Sequence, residues 1–133
     1  MRQHLYHGLV AGIAAAVAAL VYMNVYSAAL AVDFSLVANA MGIVSSTLIG
    51  TLLAAVGRHF WGRWVKQNTT LWFNVLFTVL TFLSIMPIFG MTLPLEVKAP
   101  ELLVGMVAPM HLFPQLFWHV SEPLFAKSGT IEG

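Results

Sequence analysis

His111, in the last apolar stretch of the chain, is the residue best placed to do chemistry in apolar surroundings. At ~1.5 Å per helical residue it falls near the middle of that stretch, one turn before Gln115. A neutral imidazole has one hydrogen-bond donor and one acceptor, and leaving either without a partner in hydrocarbon costs about 1–3 kcal/mol. We therefore expect His111 to face the protein interior and to meet polar side chains from other parts of the chain.

Several other polar residues lie in the same region if their segments are helices, with Asn39 nearer the outer surface. These candidate pocket residues are Tyr22, Asn24, Tyr26, Asn39, Ser84 and Gln115. Together with His111 they would form a pocket for a hydrophobic small molecule or a lipid. The alternative is purely structural. The asparagines would bond between helices at ~0.6 kcal/mol each, and His111 would bond a carbonyl that Pro109 or Pro114 leaves without its amide donor.

Catalysis by His111 would need a second titratable group within reach. The sequence offers only tyrosines and the more distant Asp33 and Glu101. This scarcity favours non-enzymatic binding of a hydrophobic small molecule, a lipid or a partner helix, and we assign no catalytic residue. The first alternative is a small membrane-embedded enzyme that uses His111 as acid or base on a lipid-soluble substrate. The second is a small transporter or channel subunit.

A second group of histidines comprises His4, His7, His59 and His119. Neutral imidazoles can bind divalent metals, but no acid or other ligand lies at a metal-site spacing from them. The chain contains no cysteine, which excludes disulfides, thiolate metal sites and iron–sulfur clusters. We therefore predict neither a metal nor a cofactor, and we interpret these histidines as lying at one membrane surface.

The composition identifies the surroundings of these residues. Of 133 residues, 59% are hydrophobic and only 8% are charged, and the mean hydropathy is +0.86. Soluble domains carry roughly 25% charged residues, so this chain cannot cover itself with a solvated surface. The three bases between Arg58 and Lys66 are too few for nucleic-acid binding and suit lipid headgroups instead. Membrane lipid, and no nucleic acid, is the expected partner.

Four apolar runs predict four transmembrane helices, because about 20 apolar residues cross a bilayer core. The predicted spans are residues 9–32, 36–56, 71–89 and 102–120. The predicted fold is all-α, an integral membrane four-helix bundle with antiparallel up-down-up-down topology. A single domain takes up residues 1–127, and we interpret residues 128–133 as a cloning remainder.

Lysine and arginine positions predict the orientation, because cytoplasmic loops carry an excess of these residues. Arg58, Arg63 and Lys66 lie in the predicted second connection, and Arg2 lies at the N-terminus. Both termini are therefore expected on the cytoplasmic side. The four tryptophans then fall at the inner interface, where indole rings prefer to lie: Trp61, Trp64, Trp72 and Trp118.

Small residues at four-residue spacing indicate close helix packing in the first two spans. The first stripe is Gly8, Gly12 and Ala16, and the second is Gly42, Ser46, Gly50 and Ala54. The two stripes are expected to pack against each other, and a homodimer through one of them is the alternative. The third span instead carries a polar stripe suited to the bundle interior, comprising Thr70, Asn74, Thr78, Thr81 and Ser84.

Three short motifs resemble a family of bacterial four-span membrane proteins of uncharacterised function. They are Ala-Leu-Val-Tyr-Met-Asn ending at Asn24, Ser-Ile-Met-Pro beginning at Ser84, and Met-His ending at His111. The resemblance covers most of the chain. It implies a multi-pass protein of the bacterial inner (plasma) membrane, and it implies no reaction.

Overall fold

The computed structural model describes residues 1–92 and 99–126, and every regular element in these two ranges is helical. The elements are α1 (Arg2–Leu30), α2 (Ala40–Trp64), α3 (Thr69–Ile85) and α4 (Glu101–Ala126), with a 3₁₀ segment, Met86–Gly90, directly after α3. Three helical segments are long and apolar enough to cross a membrane: α1, α2, and α3 with its 3₁₀ extension. The helical class is confirmed, and the three segments indicate a membrane protein. The predicted tail 128–133 lies outside the described residues.

The ends of α2 differ from the predicted second span. The helix begins at Ala40, because the Asn39 side chain accepts a hydrogen bond from the Gly42 backbone N–H at 2.7 Å and caps the helix. It continues to Trp64, so the prediction that Arg58 and Arg63 lie in a loop was wrong. Hydropathy shows where apolar side chains stop, whereas the backbone hydrogen bonds of a helix can continue beyond that point.

Helix α4 also continues beyond the predicted span, from residue 120 to Ala126. The extra turns carry Ser121 and Glu122, which face neighbouring helices. The Ser121 hydroxyl lies 2.9 Å from the His7 ring, and Glu122 accepts a hydrogen bond from Asn74 at 3.0 Å. Three prolines lie inside this helix, namely Pro109, Pro114 and Pro123.

Helix α1 packs closely on α2 through two glycines. A methyl group added at Gly8 would lie 2.8 Å from the Thr51 carbonyl oxygen, and one added at Gly12 would overlap the Thr51 hydroxyl. The predicted role of the α1 stripe is therefore confirmed. The predicted role of the α2 stripe was wrong, because a different row of that helix, Thr47, Thr51 and Ala55, is buried, whereas Gly50 has nothing within 4 Å.

Neighbouring helices run antiparallel. The start of α1 meets the end of α4, where His7 contacts Trp118. The end of α1 meets the start of α4, where the Tyr26 hydroxyl donates to the Leu102 carbonyl at 2.8 Å. Helix α4 contacts both α1 and α3, whereas α2 packs on α1 and barely touches α3 and α4. This uneven packing leaves a space beside α2.

Candidate functional site

A groove of about 810 Å³ lies between α2 on one side and α3 and α4 on the other. Its α2 wall includes all the small residues that were predicted to pack on α1, so the stripe lines open space. These are Gly42, Ser46, Gly50 and Ala54, and Gly57 continues the same wall. The facing wall carries large apolar side chains, among them Phe73, Leu76, Phe77, Leu80, Leu103 and Met110. The groove is therefore predominantly apolar.

His111 lies on the wall of this groove and is half-buried. Its Nδ1 lies 2.9 Å from the Val107 carbonyl oxygen, one turn earlier on α4. Since a carbonyl only accepts, this hydrogen bond assigns the hydrogen to Nδ1 and leaves Nε2 as an acceptor. Among the described residues that line the groove, His111 is the one titratable side chain.

Of the other predicted pocket residues, Ser84 and Asn39 also line the groove. The Ser84 hydroxyl donates to the Thr81 carbonyl at 2.7 Å within its own helix. Asn39 caps α2 and lies at the end of the groove where that helix begins. Both side chains are already bonded to backbone atoms, whereas the Nε2 atom of His111 is not used by the hydrogen bond to Val107.

The two tyrosines do not reach the groove but join α1 to α4. The Tyr22 hydroxyl donates to the Gly105 carbonyl at 2.9 Å. That carbonyl would normally accept from the amide of residue 109, and Pro109 has none. The structural alternative had His111 bonding a carbonyl freed by Pro109 or Pro114, but Tyr22 bonds the carbonyl freed by Pro109 and His111 bonds that of Val107. Gly105 also lets Tyr26 approach, because an added methyl group would lie 2.5 Å from the Tyr26 hydroxyl.

Asn24 and Gln115 also lie away from the groove. Asn24 is exposed and donates to the Leu20 carbonyl of its own helix at 2.7 Å. Gln115 donates to the Thr78 hydroxyl and lies 3.4 Å from a ring nitrogen of His119. The asparagine thus faces outward, and the glutamine joins α4 to the polar stripe of α3.

A second cavity, of about 250 Å³, lies at the end of the molecule where α1 begins, and we call it the end pocket. It is lined by Gln3, His4, His7, Arg58, Thr70, Trp118, Glu122 and Phe125. His4 and His7 were predicted to lie together, whereas neither Arg58 nor Glu122 was predicted to lie beside them. Both charged residues lie just past a predicted span, so the missing signal was the continuation of α2 and α4 beyond their apolar runs.

Hydrogen bonds hold the polar groups of the end pocket in place. His7 is 4% exposed, and its Nε2 lies 3.0 Å from the Trp118 carbonyl oxygen, which assigns the hydrogen to Nε2. The Arg58 guanidinium donates to the Thr70 hydroxyl and lies 5.6 Å from the Phe73 ring centroid, within the range of a cation–π contact. These contacts hold the His7 ring and the Arg58 guanidinium in fixed positions.

Within residues 1–92 and 99–126, no group of three or more histidine and acidic side chains is arranged to hold a metal ion. The four histidines of the predicted second group lie at the same end of the molecule without forming such a group. His4 and His7 line the end pocket, the His59 ring centroid lies 6.2 Å from that of His4, and His119 lies beside Gln115.

Comparison of the chain with family models, with curated proteins and with solved structures finds no match. The predicted resemblance to short bacterial four-span proteins therefore stays a prediction. The function has to be argued from the groove and the end pocket themselves.

Proposed function

We propose that this chain is a membrane protein that binds a lipid acyl chain or a similar hydrophobic small molecule in the groove beside His111, and that it does so without catalysing a reaction. The observation that carries this proposal is the groove itself. Its volume of about 810 Å³ lies within the ~300–1,000 Å³ that is usual for ligand sites, and its walls are apolar with few polar groups.

The proposed ligand follows from what surrounds the groove. The outward faces of α2 and α3 are apolar and exposed, for example at Ile49, Val79 and Phe82. In a bilayer these faces would contact lipid, so hydrocarbon would have direct access to the space between them. A lipid chain or a lipid-soluble compound therefore suits the groove better than a water-soluble metabolite.

His111 would add selectivity to this binding. Its Nε2 is an acceptor, and the hydrogen bond from Nδ1 to the Val107 carbonyl holds the ring in one orientation. A ligand with a hydroxyl or amide donor at the matching position would pair with Nε2. Catalysis is the weaker proposal, because general acid–base chemistry would need a second titratable group within reach of His111.

The proposal includes the placement in the membrane. Helix α4 would be the fourth span of an antiparallel bundle, with both termini on the cytoplasmic side of a bacterial inner membrane. The cluster of Arg58, Arg63 and Lys66 near the end of α2 supports this orientation. Membership of the uncharacterised four-span family suggested by the sequence motifs is part of the same proposal.

Mass spectrometry of gently extracted protein tests the proposal. Gly50 lines the groove and a Cβ added there would have no neighbour within 4 Å, so Gly50→Phe would place a ring in the groove. The neighbouring Ile49 is 58% exposed and does not line the groove, so Ile49→Phe is the matched control. We expect the wild type and Ile49→Phe to retain a hydrophobic compound that Gly50→Phe loses.

Two results would contradict lipid binding in the groove. One is equal retention of bound compounds by both variants. The other is a wild-type dimer that Gly50→Phe converts to a monomer, because the groove would then hold a helix of a second copy instead of a lipid.

A further inference from the structure

We infer that the end pocket binds a zwitterionic headgroup that carries a phosphate and a primary ammonium, as in a phosphoethanolamine group. This site is distinct from the groove, because Arg58 and Glu122 line the end pocket and neither lines the groove. The inference rests on the proposed membrane placement, which puts the end pocket at the depth of the headgroups.

Two opposite charges share the end pocket while each is bonded to a neutral side chain. Arg58 donates to the Thr70 hydroxyl. Glu122 accepts from the Asn74 amide at 3.0 Å. Charges taken out of bulk water are costly unless they are paired. A ligand that brings an anion to Arg58 and a cation to Glu122 would pair both at once.

The shape of the Arg58 side chain also suits a phosphate. The guanidinium has a planar fork of N–H groups that matches the oxygens of a phosphate. Trp118 lines the same pocket and is 1% exposed. A phosphate bound at Arg58 would therefore lie near Trp118 and change the surroundings of its indole ring.

The volume of the end pocket suits a lipid headgroup. A volume of about 250 Å³ corresponds to roughly eight water molecules at ~30 Å³ each. This space holds a headgroup and excludes a whole lipid, whose chains would remain outside. Glu122 is the single acid among the lining residues, so it can pair with one ammonium. Its negative charge disfavours a purely anionic headgroup.

Native mass spectrometry of the purified protein with defined lipids tests this inference. The probes are phosphatidylethanolamine and phosphatidylglycerol with identical acyl chains, so that only the headgroup differs. We expect the wild type to retain phosphatidylethanolamine in preference. Arg58→Gln should weaken retention of both lipids by about tenfold or more, as expected for loss of a charge-assisted hydrogen bond. Glu122→Gln should abolish the preference and leave phosphatidylglycerol retention unchanged.

Arg63→Gln is the matched control, because it removes the same charge from the same helix at an exposed position outside the pocket. It should bind as the wild type does. Arg58→Lys keeps the charge but loses the planar fork, so it should bind with intermediate affinity and serves if Arg58→Gln does not fold. A wild type without preference between the two lipids, or equal losses from Arg63→Gln and Arg58→Gln, would overturn the inference.

The source of the headgroup can be distinguished on the wild-type protein by nuclear magnetic resonance. The Trp118 indole N–H resonance, assigned with Trp118→Phe, should shift when the phosphate group binds. A shift with free phosphoethanolamine would identify a soluble ligand as sufficient, and a shift with the lipid alone would identify the membrane as the source. No shift with either would overturn the inference. Gly50→Phe should leave all these results unchanged, so failure here and failure of groove binding are separable.

Discussion

Replacing Tyr22 by phenylalanine tests how the structure accommodates a proline inside α4. The Tyr22 hydroxyl donates to the Gly105 carbonyl at 2.9 Å, and Pro109 cannot supply the backbone amide that would otherwise bond this carbonyl. The substitution therefore leaves a carbonyl without a donor. Gly105 is exposed on the surface of the bundle, so the hydrocarbon of a membrane or a micelle would surround its carbonyl. A polar group without a partner in such surroundings costs about 1–3 kcal/mol, whereas an average hydrogen bond between membrane helices contributes ~0.6 kcal/mol.

We expect Tyr22→Phe to lower the free energy of unfolding by about 1–2 kcal/mol. This is closer to the cost of an unsatisfied carbonyl than to the loss of an average hydrogen bond between helices. Tyr26→Phe is the matched control. The Tyr26 hydroxyl bonds the Leu102 carbonyl, which can keep its own helical amide donor, so its loss should cost only ~0.6 kcal/mol. The assay is reversible unfolding in mixed detergent micelles, followed by circular dichroism.

A double-mutant cycle makes the reasoning refutable. Pro109→Ala restores the amide at position 109, which can then bond the Gly105 carbonyl. In that background Tyr22→Phe should cost about 0.5 kcal/mol or less, giving a coupling energy of roughly 1 kcal/mol. Equal costs of Tyr22→Phe in the two backgrounds would refute the claim that Tyr22 compensates for the proline.

Three further predictions can be checked by the same unfolding assay. Gly12→Ala would make a methyl group overlap the Thr51 hydroxyl and should cost about 1–3 kcal/mol, whereas Gly50→Ala meets nothing within 4 Å and should cost nothing. Asn39→Ala removes the cap of α2 and should cost about 0.5–2 kcal/mol; an unchanged unfolding free energy would contradict that role. The backbone N–H and the side chain of Ser35 lower the pKa of the Asp33 carboxyl, so its small stabilising effect is present above its unfolded pKa and is lost as the pH falls through the lowered value. Asp33→Asn should remove this acid-side dependence of the melting temperature, and an unaltered dependence would exclude Asp33 as its source.

The four long helices of residues 1–92 and 99–126 could be predicted in their approximate positions because each contains an apolar run of about 20 residues, and three helical segments there are long and apolar enough to cross a membrane. The ends of α2 and α4 could not be predicted from hydropathy, which stops where charges begin. Arg58 and Glu122 lie in those continuations and meet at the end pocket. A whole group of polar residues was therefore missed as a site, although each residue was visible in the sequence.

Which face of α2 packs on α1 could not be predicted from the spacing of small residues. Helix α2 carries two rows at the same four-residue spacing, a glycine row (Ser46, Gly50 and Ala54) and a threonine row (Thr47, Thr51 and Ala55). The two rows differ by one step of about 100° around the helix. The glycine row is the stronger packing signal in a sequence. The threonine row packs on α1 nonetheless, and the glycine row lines the groove. Small residues indicate that something approaches closely, but the spacing does not say what.

His111 could be identified as a residue of interest, but its neighbours could not. Depth along a helix follows from counting residues, whereas the rotation of each helix decides which side chains meet. Tyr22 was expected beside His111 and instead bonds the Gly105 carbonyl on another face of α4. Of the six residues predicted to accompany His111, the structure brings only Ser84 and Asn39 to the same groove.

Ligand retention by His111→Leu is the most direct test of groove binding. The hydrogen bond from His111 runs to the Val107 carbonyl of its own helix, so its loss separates no two helices. His119→Leu is the matched control, because His119 lies on α4 outside the groove. Native mass spectrometry and the melting temperature in detergent should be measured on the same samples.

If His111 helps to bind a ligand in the groove, His111→Leu keeps the ligand-free melting temperature of the wild type and loses the bound compound, while His119→Leu retains it. Retention of the compound by His111→Leu, or a fall in its ligand-free melting temperature beyond that of His119→Leu, would contradict this account.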